Sequence, residues 1–345
     1  MRKAAVLGAT GLVGQRFIEC LNNHPWFKVT KVAASERSYG KTYGEAANWK
    51  LQSGMPSDVA DLEVLPIDAA KMGDVGVVFS ALPADIAGKV EEDFARAGHV
   101  VVSNASSHRM DPDVPILNPE ANHDHVALLD IQRRNRKWDG AIVTNPNCCT
   151  AILTLSLKPI LQSFGVKRVV VTTMQALSGA GYPGVPSLDI VDNVIPFIEH
   201  EEEKLSRETL KILGSPAKTA DFQLTASCNR VQTIDGHLEA VFVETEKKTD
   251  ARSVIKALEN FVGEPQRLSL PTAPRLPIVV RRERDRPQPR LDRMEGNGMA
   301  VVVGRVRDDN VMNGIKYMVL GHNTIRGAAG VGVLNAELLK AKNYI

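Results

Sequence analysis

Two adjacent cysteines, Cys148 and Cys149, stand in the segment TNPNCCT of a 345-residue chain with only four cysteines. Neighbouring residues cannot reach unstrained disulfide geometry without distorting the peptide between them, and two sequential sulfurs are too few ligands for a metal. A pair of small buried residues or a nucleophile remains. Residues 150–163 carry a helical pattern, so the pair falls where the apolar run AIVTN turns into a helix. A thiol at a helix start feels the positive end of the dipole and ionises more readily. Such a thiolate could form a thioester with an acyl group. Free cysteine is also among the most buried residue types, and on this segment's chemistry both readings stand.

A thioester route needs a proton donor and a grip on the substrate. The segment NRVQTIDGHLEA offers Arg230 and His237 at the two ends of a short strand-turn. Histidine can give a proton to an alkoxide or take it back, and arginine can hold a carboxylate through two parallel hydrogen bonds. Arg109 in SHRM follows a strand's C-terminal end, where ligands bind in open α/β sheets. For each of the three, an ordinary surface residue is the plainer alternative.

A second constellation is GATGLVG, with Gly8, Gly11 and Gly14 between the first strand and the first helix. Glycines at such a turn let the backbone approach a pyrophosphate, which then sits on the unpaired N–H groups of the helix start. Gly8, Thr10, Gly11, Leu12 and Val13 are the expected cofactor-binding residues; a tight turn with no ligand is the alternative. The second strand ends in ASERS, where Glu36 could meet the ribose of NAD. Ser35, Arg37 and Ser38 around it suit a 2′-phosphate, which favours NADP.

These residues need elements to hold them. In the first half, KAAVLG, KVTKVAAS, VGVVFSAL and HVVVSN alternate with helical patterns, which implies βαβ units and a parallel sheet. After Cys149 the runs KRVVVTTMQAL, LTASCNRVQ, GHLEAVFVETE and GMAVVVGRVRDD are longer and several alternate in period two. The expected fold is α/β: an N-terminal Rossmann-type doubly wound parallel sheet, then an α+β domain with a mixed or antiparallel sheet. Helices are expected at RSVIKALENFV, across DIVDNVIPFIEHEEEKLSRETLKIL and at the C-terminal NTIRGAAGVGVLNAELLKAK. The domains read as 1–147 for the cofactor, completed by the C-terminal helix 322–345, and 148–321 for catalysis and dimerisation.

Apolar residues are 43% and charged residues 24%, with a formal net charge of +2, which calls for neither nucleic acid nor an anionic membrane. No CxxC occurs, and four scattered cysteines fit a reducing compartment. Glycines interrupt the apolar start, so a signal peptide is rejected; no stretch has the length of a membrane span. A cytoplasmic protein is expected. The run RRERDRPQPRLDR holds six arginines against three acids and reads as an exposed Pro-rich loop.

Taken in order, GATGLVGQRF, ASERSYGK, SNASSHRM, NPNCCT, QALSGAGYPGVPSLDI, EEEKLSRETLKILG, CNRVQTIDGHLEAVFVE, RPQPRLDR and HNTIRGAAG resemble aspartate-β-semialdehyde dehydrogenase in its archaeal and fungal form. The resemblance spans nearly the whole chain. It implies Cys148 as nucleophile, with Cys149 a neighbour that happens to be cysteine. It also implies His237 as acid/base and Gln175 as the residue that orients the acyl intermediate. Arg230 would hold the substrate α-carboxylate, Glu208 its amino group, and Lys211 with Arg109 the phosphate. Asn323 would fix the nicotinamide carboxamide of NADP.

The implied reaction is reductive dephosphorylation of 4-phospho-L-aspartate to L-aspartate 4-semialdehyde, in lysine, threonine and methionine biosynthesis, by a homodimer or homotetramer without a metal. The archaeal malonyl-CoA and succinyl-CoA reductases are the nearest rivals, releasing coenzyme A in place of phosphate. N-acetyl-glutamyl-phosphate reductase resembles these segments less. A non-catalytic NADP-binding regulator would leave Gln175, Arg230 and His237 without purpose.

Overall fold

Short apolar runs build the first sheet: β1 (Arg2–Leu7), β2 (Phe27–Ala33), β3 (Val64–Leu65), β4 (Val77–Ser80), β5 (Val100–Ser103) and β6 (Ala141–Thr144). In the computed structural model, which describes residues 1–345, they pair in parallel in the order β3-β2-β1-β4-β5-β6. That is the doubly wound order of dinucleotide-binding sheets. Every residue of β4, β5 and β6 is buried, which is why these strands are continuously apolar and not alternating.

The second sheet contains β7 (Arg168–Gln175), β8 (Gln223–Arg230), β9 (His237–Glu244), β10 (Ile278–Arg281), β11 (Val301–Asp309) and β12 (Gly314–Gly321), in the order β10-β11-β12-β9-β7-β8. It is mixed: β7/β8 and β10/β11 run parallel, and the other pairs antiparallel. Buried and half-buried residues alternate along β9. Its inner face carries His237, Glu239, Val241 and Val243.

Four helices matter for the site: α1 (Leu12–Leu21), α2 (Cys148–Phe164), α3 (Glu201–Leu213) and α4 (Gly330–Ala341). Helix α2 lays Ile152, Leu153, Leu155, Leu157 and Ile160, all fully buried, into the core of the second sheet. Each such side chain contributes roughly 1.5–3 kcal/mol. Helix α4 turns back, with Val333, Leu334, Leu338 and Leu339 packing among Phe17, Phe27 and Phe79 of the first sheet's core. Asn335 of α4 donates to Asn145 Oδ1 at 2.9 Å, and His24 bonds Glu337 at 2.7 Å.

Three sequence expectations need correction. The helix expected from Asp189 onward is interrupted: one turn spans Ser187–Ile190, and α3 begins only at Glu201. Asp192 and His200 take positive φ, and Ile195 pairs with Arg230 as an isolated bridge, with Pro196 next to it. The arginine-rich run is only partly solvated. Asp292 is 1% exposed and accepts from Arg286 at 2.7 Å and from Arg281 at 3.3 Å. The C-terminal helix enters through a π-helical turn over Ile325–Ala329. Strands β3, β10 and β12 were not anticipated; β12 reads GIKYMVLG, with a lysine amid its apolar residues.

Candidate active site

The sheet register brings the chemistry together. Leu7, Ala33, Ser80, Ser103 and Thr144 align at one edge of the first sheet, so the glycine turn after β1 and the Asn-Pro-Asn turn after β6 leave the same side. In the second sheet, Gln175 pairs with Arg230 and His237 with Gly321. Gln175, Arg230 and His237 therefore share an edge, and α2 starts against it.

Asn147 builds the turn that carries the nucleophile candidate. Its Oδ1 caps α2, accepting from the N–H groups of Cys149 at 2.9 Å and Thr150 at 3.3 Å. Its own N–H donates to Glu208 at 2.7 Å and its Nδ2 to Glu201 at 2.8 Å. Glu201 and Glu208, two turns apart on α3, thus grip one residue from the same helix face. Opposite, the π-helical turn touches Cys148: a Cβ on Gly327 would come within 2.7 Å of the Cys148 Cβ, so only glycine fits there. A π turn at a functional site is common.

Cys148 is half-buried, and its Sγ lies 3.1 Å from His237 Nε2. His237 is fully buried, and its Nδ1 accepts the Ala176 N–H at 3.0 Å. A neutral ring with Nδ1 occupied carries its proton on Nε2, aimed at the sulfur. Cys148 is held well below the usual thiol range. The Cys149 thiol donating toward it is the first cause, against burial, and His237 and then Arg230 add to it. The thiolate is thereby favoured over that of an ordinary thiol. Iodoacetamide labelling of Cys148 is expected to change by less than about threefold between pH 7 and 9, whereas an ordinary thiol gains roughly tenfold per unit below its midpoint. Labelling followed by peptide mass across that window reads this directly.

Arg230 is 7% exposed and donates to the Ala176 carbonyl at 2.7 Å. Gln175 Nε2 donates to Cys149 Sγ and, at 2.8 Å, to Glu201. Asn323 accepts from Gly236 N–H and donates to Ser178 Oγ, both at 2.8 Å, locking the turn after β7 to the start of β9. Cys148, Gln175, Arg230, His237 and Asn323 thus form one cluster.

Arg109, Glu208 and Lys211 form a second, joined to the first through Asn147. Arg109 pairs with Glu208 at 2.9 Å. Lys211 spends its three protons on the carbonyls of Arg109, Asp111 and Val114 at 2.7, 2.7 and 2.8 Å. Burial first of all brings the Lys211 ammonium down to about 8, and burial likewise raises Glu208 despite Arg109.

The glycine turn fits a dinucleotide. Gly8 has φ +69°, and a Cβ there would lie 2.6 Å from the Ala81 carbonyl oxygen. Helix α1 starts at Gly11 with no side-chain cap and no acid in its first turn, which leaves the N–H groups around Leu12 and Val13 for an anion. Thr10 is half-buried beside them, and Ser35 and Arg37 are exposed with Ser38 half-buried after β2.

Several residues of the site were missed from sequence: Asn147, Ala176, Ser178, Glu201, Glu239 and Gly327. Glu239 was within reach, since a residue two along a strand from His237 must share its face. The Glu201/Glu208 spacing of seven likewise puts both on one helix face. Ala176, Ser178 and Gly327 act through backbone or packing and leave no residue-type signal.

Residues 3–129 match the family described as semialdehyde dehydrogenase, NAD-binding domain, and residues 157–326 its dimerisation domain. The chain is 54% identical to the aspartate-semialdehyde dehydrogenase of Methanothermobacter thermautotrophicus, over 98% of this chain and 99% of that one. The chain belongs to the aspartate-semialdehyde dehydrogenase family. Within reach of that family also stands a malonyl CoA reductase (NADP) from Metallosphaera sedula, 47% identical over 99% of this chain and 98% of that one. The crystal structure of the Candida albicans aspartate-semialdehyde dehydrogenase with NADP superposes with a TM-score of 0.93 at 40% identity, covering all of both chains. The doubly wound sheet and mixed second sheet described above are thus the architecture of this family.

Proposed function

We propose that this chain catalyses the NADPH-dependent reductive dephosphorylation of 4-phospho-L-aspartate to L-aspartate 4-semialdehyde. The observation that carries this reading is the Cys148–His237 contact of 3.1 Å, at the start of a helix and beside a buried arginine. The Cys148 sulfur attacks the acyl carbon, the bond to phosphate breaks, and a thioester forms on the enzyme. Gly8, Thr10, Gly11, Leu12 and Val13 would hold the pyrophosphate, Ser35, Arg37 and Ser38 the 2′-phosphate, and Asn323 the carboxamide; the cofactor, when bound, supplies hydride to the acyl carbon. His237 Nε2 presents its proton to the oxygen of the tetrahedral adduct and recovers it as the carbonyl re-forms and sulfur leaves. N–H groups at the start of α2 stabilise that oxygen, commonly by a few kcal/mol per donor.

Arg230 would take the substrate carboxylate, Gln175 the acyl oxygen, Glu208 the amino group, and Arg109 with Lys211 the phosphate. The last three are engaged with one another, so on this reading the phosphate competes for Arg109 and Lys211. The domain division at residues 147/148 is part of the proposal, as are assembly as a homodimer or homotetramer and a cytoplasmic location. No helix is long and apolar enough to cross a membrane.

The test is NADP reduction with L-aspartate semialdehyde and phosphate, coenzyme A or neither as acceptor. Phosphate-dependent NADPH formation is expected. Dependence on coenzyme A with indifference to phosphate would instead place the chain with the acyl-CoA reductases, the second reading that the 47% identical relative favours.

A further inference from the structure

Cys149 has no part in the reaction as written, yet it is the most elaborately held thiol in the chain. It is fully buried. Its Sγ lies within 4.8 Å of both the Cys148 sulfur and His237, and it accepts an N–H from Gln175, whose other proton goes to Glu201. Behind it stands Glu239, two residues along β9 from His237. Its carboxyl is fully buried, and neither oxygen has a hydrogen-bond partner. A buried carboxylate without a partner is very costly. Burial, and then the Cys148 charge, push it well above the usual carboxylate range. Cys149 is pushed up in the same way, by burial first.

We propose that Cys149 is a positioning residue for the nucleophile: held by Gln175 and backed by the buried Glu239, its thiol donates a hydrogen bond to the Cys148 sulfur and confines the negative charge to that atom. Two adjacent thiols could otherwise share one charge, and a charge on the buried sulfur could reach no substrate. The asymmetry is built by surroundings. Cys148 faces His237 from β9 and Arg230 from β8, while Cys149 faces the acids Glu201 of α3 and Glu239 of β9. The arginine charge and the histidine N–H favour a thiolate on Cys148, and burial beside two acids disfavours one on Cys149. A hydrogen bond to an ionised group is among the stronger ones, so losing this donor has a measurable effect on the acidity of Cys148. The proposal rests on Cys148 being the nucleophile.

The test compares full-length wild type with Cys149→Ala, which lacks the donor, and Cys149→Ser, which keeps one. Iodoacetamide labelling of Cys148 is followed against pH, by fragment masses that separate the two cysteines, alongside turnover with the semialdehyde and phosphate. Cys149→Ala is expected to raise the labelling midpoint by about one pH unit and so slow labelling by roughly tenfold at a pH below both midpoints, with Cys149→Ser restoring most of it. A purely structural role for Cys149 would move melting temperature and leave the midpoint in place. If the alanine variant does not fold, Cys149→Thr against Cys149→Val, equal in shape and differing in the donor, makes the same comparison.

Coincident midpoints for the donor and donor-free variants overturn the proposal while leaving the reading of the reaction intact. Absence of turnover in wild type with a shifted midpoint in Cys149→Ala does the reverse. Labelling at Cys149 in place of Cys148 overturns both.

Discussion

Replacing Cys148 with alanine is expected to lower turnover by on the order of 10⁴-fold or more, with NADPH affinity unchanged within about twofold. No other thiol can take over. Cys149 is fully buried, and burial raises Cys20 and Cys228 to about 12, so neither offers a thiolate near neutral pH. Cys148 is the one cysteine that is half-buried at the site, made more acidic than an ordinary thiol, and 3.1 Å from a histidine. The cofactor turn after β1 belongs to the first sheet and makes no use of the sulfur, which is why binding and turnover should separate. Equilibrium titration with NADPH and steady-state turnover on the same preparation give both numbers. Joint loss of binding and activity would mean that Cys148 holds the turn together, as a packed residue and not as a nucleophile. Packing is a fair rival, since Gly327 leaves the Cys148 Cβ almost no free space; the alanine variant keeps that Cβ and removes only the sulfur.

The contrast between the two cysteines shows what a sequence can and cannot disclose. Their position at a strand-to-helix turn is legible, because AIVTN is continuously apolar and the run after it has helical period. Which sulfur ionises is not, because that depends on Arg230, 82 positions later, and on Glu239, which the register of β7, β8 and β9 brings to the same place, and on Glu201 of α3. The strands carrying these groups were recognisable by alternation, but their pairing order was not, and pairing order alone decides that Gln175 and Arg230 end level with His237. The same holds for helix α3. Its charged sequence EEEKLSRETLK reads as a solvated face, and Glu208 is in fact 2% exposed. An acid-rich helix can face inward when its acids are consumed by Asn147 and Arg109, and no local pattern announces those partners.

His237→Gln is the second variant for which a large effect is expected: a fall in kcat of about 10²–10⁴-fold, the usual worth of a positioned proton donor. The argument runs through the two ring nitrogens. Nδ1 is committed to the Ala176 N–H at 3.0 Å, so Nε2 is the only site for exchanging a proton with the adduct, and doubly protonating the ring would break the Ala176 bond. Ala176 thereby fixes the tautomer protonated on Nε2, the opposite of the one a carboxylate at Nδ1 selects. A glutamine amide can still place an N–H near the Cys148 sulfur, yet it cannot pass a proton on. Labelling of Cys148 at pH 7 should therefore fall much less than kcat does. Measuring labelling and kcat side by side in this variant distinguishes the two tasks of the ring. Equal losses in both would mean that His237 serves only to hold the thiolate, and that the proton for the tetrahedral oxygen comes from another group at the mouth of α2.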